Sequence, residues 1–329
     1  MVVGFSAARP GGPAKGGGTV ELPLVVGVDG SAPSLAAVDW AVDEAARHGL
    51  PVRLVYASLW ERYEGHEGYE GHEGYEEGVP PGSGERSSEQ AMAEHIVASA
   101  AQRAREREAR VSTGVRTGGN ADVKVSAGIV PDDAVSALLE AGDTAFALVT
   151  GFRGRGGLKG LLLGSVSLAV AARADCPVVV VRGDKAGLAG THERILLGAG
   201  EPDTGGEAVR WAFREAEVRG CVLDVVRAWR GPAFQAPFDP PAREREEQAL
   251  ALMEELLREA RAAHPDVRLR PATVEGPAHR VLVDRSAAAD LVIVGARRRT
   301  GRLGLQLGRT GHTLLHHAQC PVAVVPQRV

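Results

Sequence analysis

Two octapeptides set 171 residues apart constrain this chain more than any other feature. Val38-Asp-Trp-Ala-Val-Asp-Glu-Ala45 lines up with Val209-Arg-Trp-Ala-Phe-Arg-Glu-Ala216, and Cys176-Pro-Val-Val-Val-Val181 lines up with Cys320-Pro-Val-Ala-Val-Val325. A chain that carries the same helix and the same closing strand twice solves one folding problem twice. The offset falls from 171 to 144 between these anchors, a difference of 27, close to the length of an acidic insert found in the first copy alone. At 329 residues there is room for two domains and little else.

Within the first copy, apolar runs alternate with helical patterns. Leu24–Val28 reads as a buried strand ending at Asp29-Gly30-Ser31, and a helix follows with Ser31 as N-cap, Pro33 in its first turn and an apolar face of Val38, Ala41, Val42 and Ala45. Val52–Tyr56 is a second strand and Asp122–Ser126 a third, followed by Gly128 and a helix from Asp132 to Ala141. Phe146–Val149 forms the fourth strand, Val166–Ala172 a helix and Pro177–Val181 the last strand. A helix from Glu89 to Arg110, burying Met92, Ile96 and Ala100, completes the set. Five strands alternating with four helices predict a doubly wound α/β domain, a five-stranded parallel sheet with helices on both faces, Rossmann-like in architecture. The second copy repeats it, with a helix from Arg243 to Ala263 packing Leu250, Met253, Leu256, Leu257 and Ala260.

The boundaries follow: a Gly/Pro-rich tail over 1–20, a first domain over 21–183, a linker over 184–192 and a second domain over 193–329. The insert, about 61–85, carries the hexad YEGHEG at Tyr63 and again at Tyr69, with a truncated copy at Tyr75. Dense Glu and Gly with almost no aliphatic side chain predicts a mobile loop. His66 and His72 are read as part of that solvated repeat rather than as metal ligands.

The chemistry concentrates between Thr150 and Ser165, TGFRGRGGLKGLLLGS, a glycine-dense loop between a strand and a helix start. Glycine lets backbone approach a ligand, and a helix N-terminus offers free amides and partial positive charge to an anion. The P-loop pattern is absent, and G-x-G-x-x-G fails at Lys159. What fits is Gly151, two residues, Gly154, nine residues, then Gly164-Ser165. This spacing resembles the ATP-binding signature of the universal stress protein family, and the resemblance extends from Leu22 to Arg182 and from Arg194 to Pro326.

That resemblance implies a tandem, ATP-binding protein with a regulatory or stress-response role, and pairing of the domains through their last strands, here within one chain. It places Gly151, Gly154, Gly164, Ser165 and the backbone of Val166 at phosphates and ribose, Asp29 beside the nucleoside, backbone at Val28 and near Ala57 at the base, and Gly128 towards the ribose. Arg153, Arg155 and Lys159 would add positive charge. A carboxylate beside a triphosphate repels it unless a cation such as Mg intervenes, so Asp29 is better used as an acceptor for ribose hydroxyls or the adenine amino group. Phe152 departs from the family, which commonly has a small or polar residue there. In the second copy Asp29 corresponds to Gly200, Gly154 to Arg298 and Gly164-Ser165 to Gly308-Arg309, while Gly295 is retained. This reads as a degenerate motif in a domain that supports the first by packing; an altered anion site among Arg297, Arg298, Arg299, Arg302 and Arg309 is the other reading. His312 and His316 lie four apart on a helix and are read as surface residues.

Composition narrows the function classes. A net charge of −4 argues against a general nucleic-acid partner. No apolar run approaches the roughly 18 residues that span a bilayer, and the first residues lack the apolar core of a signal peptide, so the cytoplasm is the expected compartment. Cys176, Cys221 and Cys320 contain no CxxC pair and are read as reduced and structural. No SGGxDS loop, HIGH-type histidine pair or general base accompanies the glycine loop, so no catalytic residue is assigned. A slow ATPase, an adenylyl-transferring relative and a nucleotide-free scaffold joined through the last strands stay open as alternatives, as do homodimerisation and a protein partner.

Overall fold

In the computed structural model, the described residues are 21–59, 83–113, 122–154, 163–201, 205–230, 241–297 and 307–327. The N-terminal tail and the hexads fall outside them, as do Arg155, Lys159, Arg298, Arg299 and Arg302.

The apolar runs of the inner strands form because they can be covered on both faces, and two less apolar strands close the edges. In the first half these are β1 (Leu24–Gly27), β2 (Val52–Ala57), β3 (Val125–Val130), β4 (Ala147–Gly151) and β5 (Val178–Val181). Helices α1 (Ala32–His48), α2 (Ser83–Thr113), α3 (Ala134–Gly142) and α4 (Ser165–Arg173) connect them. A short helix α5 (Lys185–Ala189) leads into β6 (Arg194–Gly198), β7 (Val222–Trp229), β8 (Arg268–Glu275), β9 (Leu291–Arg297) and β10 (Val322–Gln327). Between these lie α6 (Gly206–Arg219), α7 (Ala242–Ala263), α8 (Ala278–Ser286) and α9 (Arg309–His317).

The strands form one ten-stranded sheet in the order β3-β2-β1-β4-β5-β10-β9-β6-β7-β8. Each half is a parallel five-stranded unit, and the halves join where β5 and β10 run antiparallel, with Val180 opposite Val322 and Val178 opposite Val324. The expected pairing of last strands therefore takes place inside the chain. Successive residues point to opposite faces, so Leu24 and Val26 pack under α1 and α2, while Val25 meets α3 and α4. Helices α6 and α7 repeat the first arrangement, and α8 and α9 the second. At the seam Arg182 donates to the carbonyls of Leu314 and Leu315 at the end of α9.

Several sequence expectations are corrected. The third strand runs Val125–Val130, not from Asp122 to Ser126, because its pairing with β2 carries on through Ala57 and Val130. It passes through exposed Ser126 and Gly128 because a sheet edge makes little demand on side-chain packing. Helix α2 begins at Ser83, earlier than expected and inside the span assigned to the acidic insert. Its core stripe is Ala93, Ile96, Ala100 and Ala104, whereas Met92 is 46% exposed. In α7 the buried position is Ala249 and Leu250 lies outside. The linker holds α5, capped by Asp184, whose carboxylate accepts from the Gly187 amide, and closed by Gly190 at φ 67°.

Candidate functional site

The carboxyl ends of β1 and β4 diverge at the middle of the first half, the switch point where doubly wound sheets open a crevice. A cavity of about 430 Å³ lies there. Of the residues singled out from sequence, Val28, Asp29, Ala57, Gly151, Arg153, Gly154, Gly164, Ser165 and Val166 line it. Gly128 does not: it is paired with Val55 on the edge strand, exposed, with open space where a Cβ would be.

Local geometry explains the glycines. A Cβ on Gly151 would lie 2.5 Å from the carbonyl group of Pro33 and 2.8 Å from the Ser34 amide nitrogen, so only glycine lets β4 end against the first turn of α1. A Cβ on Gly154 would lie 2.5 Å from Asp29 Oδ2, which places the glycine loop directly on that carboxylate. Asp29 Oδ1 in turn accepts the Ser31 amide at 3.0 Å. Ser31 caps α1 as the sequence predicts, accepting the Ser34 amide at 3.3 Å. Its hydroxyl also donates to the Arg153 carbonyl at 3.4 Å, tying the first βα turn to the glycine loop.

On the opposite wall the chain returns through Gly164, whose amide donates to the Phe152 carbonyl at 2.8 Å. Phe152 departs from the family pattern but packs its ring into the core on the α3 and α4 side. Gly164 is the N-cap of α4 and supplies no side-chain cap, so the first-turn amides lack an intrahelical partner, and Ser165, Val166 and Ser167 of that turn line the cavity. Sequence reasoning missed Ser34, Thr150 and Ser167 as lining residues. Ser167 donates to the Gly151 carbonyl at 2.7 Å and fixes that turn. Thr150 Oγ1 and Arg153 Nε are buried with no hydrogen-bond partner among the described residues. Such atoms carry a desolvation cost that a bound polar ligand can relieve. A strand-end threonine offers no sequence signal that separates it from an ordinary β-former. Leu138, Leu163 and Val55 give the remaining wall its apolar character. The arrangement can hold a ligand that is apolar at one end and anionic at the other.

The second half retains a cavity at the equivalent place, about 670 Å³, between the ends of β6 and β9. Its walls differ. Gly200 stands for Asp29 and Arg309 for Ser165, and Arg227 lines it while paired with Glu201 at 3.0 Å. Where Gly151 abuts α1 directly, Gly295 faces the side chain of Gln327, which accepts the Glu207 amide at the start of α6. Desolvation, and after it the charges of Arg309, Arg230 and Arg280, hold the His279 imidazole below its ordinary value. The three cysteines are free and buried. No helix among the described residues is long and apolar enough to cross a membrane.

Comparison with known proteins bears on both halves. A family model described as the universal stress protein family matches residues 23–182 and again 191–326. A universal stress protein of Mycobacterium tuberculosis is 32% identical over 323 residues, covering 92% of this chain and 97% of the relative. One from Mycolicibacterium smegmatis is 30% identical over 313 residues, covering 94% and 98%. Among solved structures, a universal stress protein from Archaeoglobus fulgidus superposes with a TM-score of 0.62 at 17% identity, covering 92% of this chain and 98% of that one.

Proposed function

Because the chain belongs to the universal stress protein family, with both halves matching it, we propose that its first half binds ATP and that the bound nucleotide serves a regulatory, stress-response role in the cytoplasm. The observation that carries this reading is the convergence on one cavity of Asp29, the glycine turns at Gly151 and Gly154, and the uncapped amides of α4. Asp29 would accept from ribose hydroxyls or the adenine amino group, with Val28 and Ala57 against the base. Gly154, Gly164, Ser165 and Val166 would bring backbone amides to the phosphates, and Arg153 would add charge. Mg, if ATP enters as its magnesium complex, would accompany the phosphates and not Asp29.

The reading is one of binding and not of turnover. Among the described cavity residues Asp29 is the one carboxylate, and it is engaged with the Ser31 amide. A scaffold assembled through the last strands has less support, because β5 and β10 are both interior to the sheet and present no edge. Equilibrium titration with ATP tests the proposal. The wild type should show one site, Asp29→Ala should lose it while the chain still folds and melts within about 2 °C of wild type, and retained affinity in that variant would remove Asp29 from the site.

A further inference from the structure

The repeat brings a second cluster together, away from both cavities. Glu44 on α1 and Glu215 on α6 occupy the same position of the two octapeptides, and four residues on stand His48 and Arg219. The two helices meet across the seam, and the four side chains are buried, with exposures of 2%, 0%, 5% and 8%. Each cation reaches across to the other half. Arg219 Nη2 lies 2.7 Å from Glu44 Oε2, and His48 Nε2 lies 3.1 Å from Glu215 Oε1. Within their own helices His48 is 3.4 Å from Glu44 and Arg219 is 3.5 Å from Glu215.

We propose that Glu44, His48, Glu215 and Arg219 form a proton-dependent clasp between the halves, in which a protonated imidazole does in one direction what a guanidinium does in the other. Two buried carboxylates facing one fixed cation leave a charge uncompensated; a proton on His48 balances them. The surroundings offer little else. From α1, Arg47 reaches Glu44 at 2.6 Å from a partly exposed position. From the start of β4 comes the ring of Phe146, 5.2 Å from His48, with Arg214 of α6 on that ring at 5.9 Å. Trp40 lies under Arg219 at 5.7 Å. The Cys221 thiol, pushed up to about 11 by burial, is neutral beside them. A divalent ion held by Glu44, His48 and Glu215 is disfavoured because the buried Arg219 already sits between the two carboxylates, and a dication beside it would set three positive charges against two.

Titration follows the geometry. Burial pulls His48 down, but the close contact and charge of Glu215 and Glu44 more than offset it and carry the imidazole to about 9. Burial and Glu44 push Glu215 up, while the contact with His48 pulls it back. Burial also opposes ionisation of Glu44, yet Arg219 and its neighbours hold it well below the usual carboxylate range. A histidine raised in the folded state contributes stability that is complete below about 6.5 and lost as pH rises through about 9. The clasp therefore tightens with acidification across that window.

The difference between about 9 and 6.5 corresponds to about 300-fold in the folding equilibrium and about 5 °C in a chain of this size. The test is imidazole NMR of the full chain from pH 6 to 10, together with melting curves of wild type, His48→Arg and His48→Gln. His48 should titrate near 9, and wild type should lose about 5 °C relative to His48→Arg between pH 6 and 10. Zinc should leave all three melts unchanged. Titration of His48 at or below 6.5 overturns the clasp even if neither variant folds. Parallel melting profiles of wild type and His48→Arg overturn it too, as would a zinc-dependent rise in wild type that His48→Gln abolishes.

Discussion

Substituting Gly154 with alanine separates the site from the fold. The added Cβ would sit 2.5 Å from Asp29 Oδ2, against an ordinary contact of about 3.4 Å, so the carboxylate must move by about 1 Å. That atom is the far end of a side chain that can turn, which makes the change cheap for folding, within about 0.5 kcal/mol. It is not cheap for binding. An acceptor displaced by that much loses a charge-assisted hydrogen bond of about 1.5–3 kcal/mol, about 10- to 150-fold in Kd. Gly151→Ala is the contrasting change, because its Cβ meets backbone at Pro33 and Ser34 that cannot step aside. Overpacking there costs about 1–3 kcal/mol and about 2–4 °C in melting temperature. Calorimetric ATP titration and thermal melts on both variants provide the readout. An unchanged Kd for Gly154→Ala would refute the placement of Asp29 at the ligand, and an unchanged melt for Gly151→Ala would refute the packing of β4 against α1.

The seam and the thiols give two more expectations. Gly183, at φ 110°, would drive a Cβ into the Gln319 carbonyl and to 2.7 Å from Cys320 Cα, so Gly183→Ala should cost about 3 kcal/mol, about 4 °C in the melt; a neutral result would contradict the β5–β10 junction. Cys176 and Cys221 are buried and pushed up to about 11, and Cys320 is raised further by burial, so a thiol reagent at pH 8 should label none of the three in the native chain and all three in denaturant. Rapid native labelling of any one would show that its half opens.

What the sequence made legible were features fixed by short-range pattern. The Ser31 cap, the apolar runs that became strands and the glycine spacing at 151, 154 and 164 all lie within windows that local chemistry controls, and the duplication is legible because such windows recur. The stripe of α2 was misjudged by one residue, Met92 for Ala93, because that helix packs on alanines that carry almost no hydrophobic signal. The same cause shifted Ala249 to Leu250 in α7. The edge strand β3 escaped correct bounds because Ser126 and Gly128 are poor strand formers held by pairing alone. Thr150 and Ser167 enter the cavity through tertiary placement. The clasp joins positions 171 residues apart, and the octapeptides mark its glutamates without marking that they meet.

The claim that the first half holds ATP is tested most directly by denaturing freshly purified chain, identifying and counting the released nucleotide, and then titrating the stripped protein with ATP. One ATP per chain is the predicted result. None by either measure would contradict the account, and two would show that the arginine-lined second cavity binds as well.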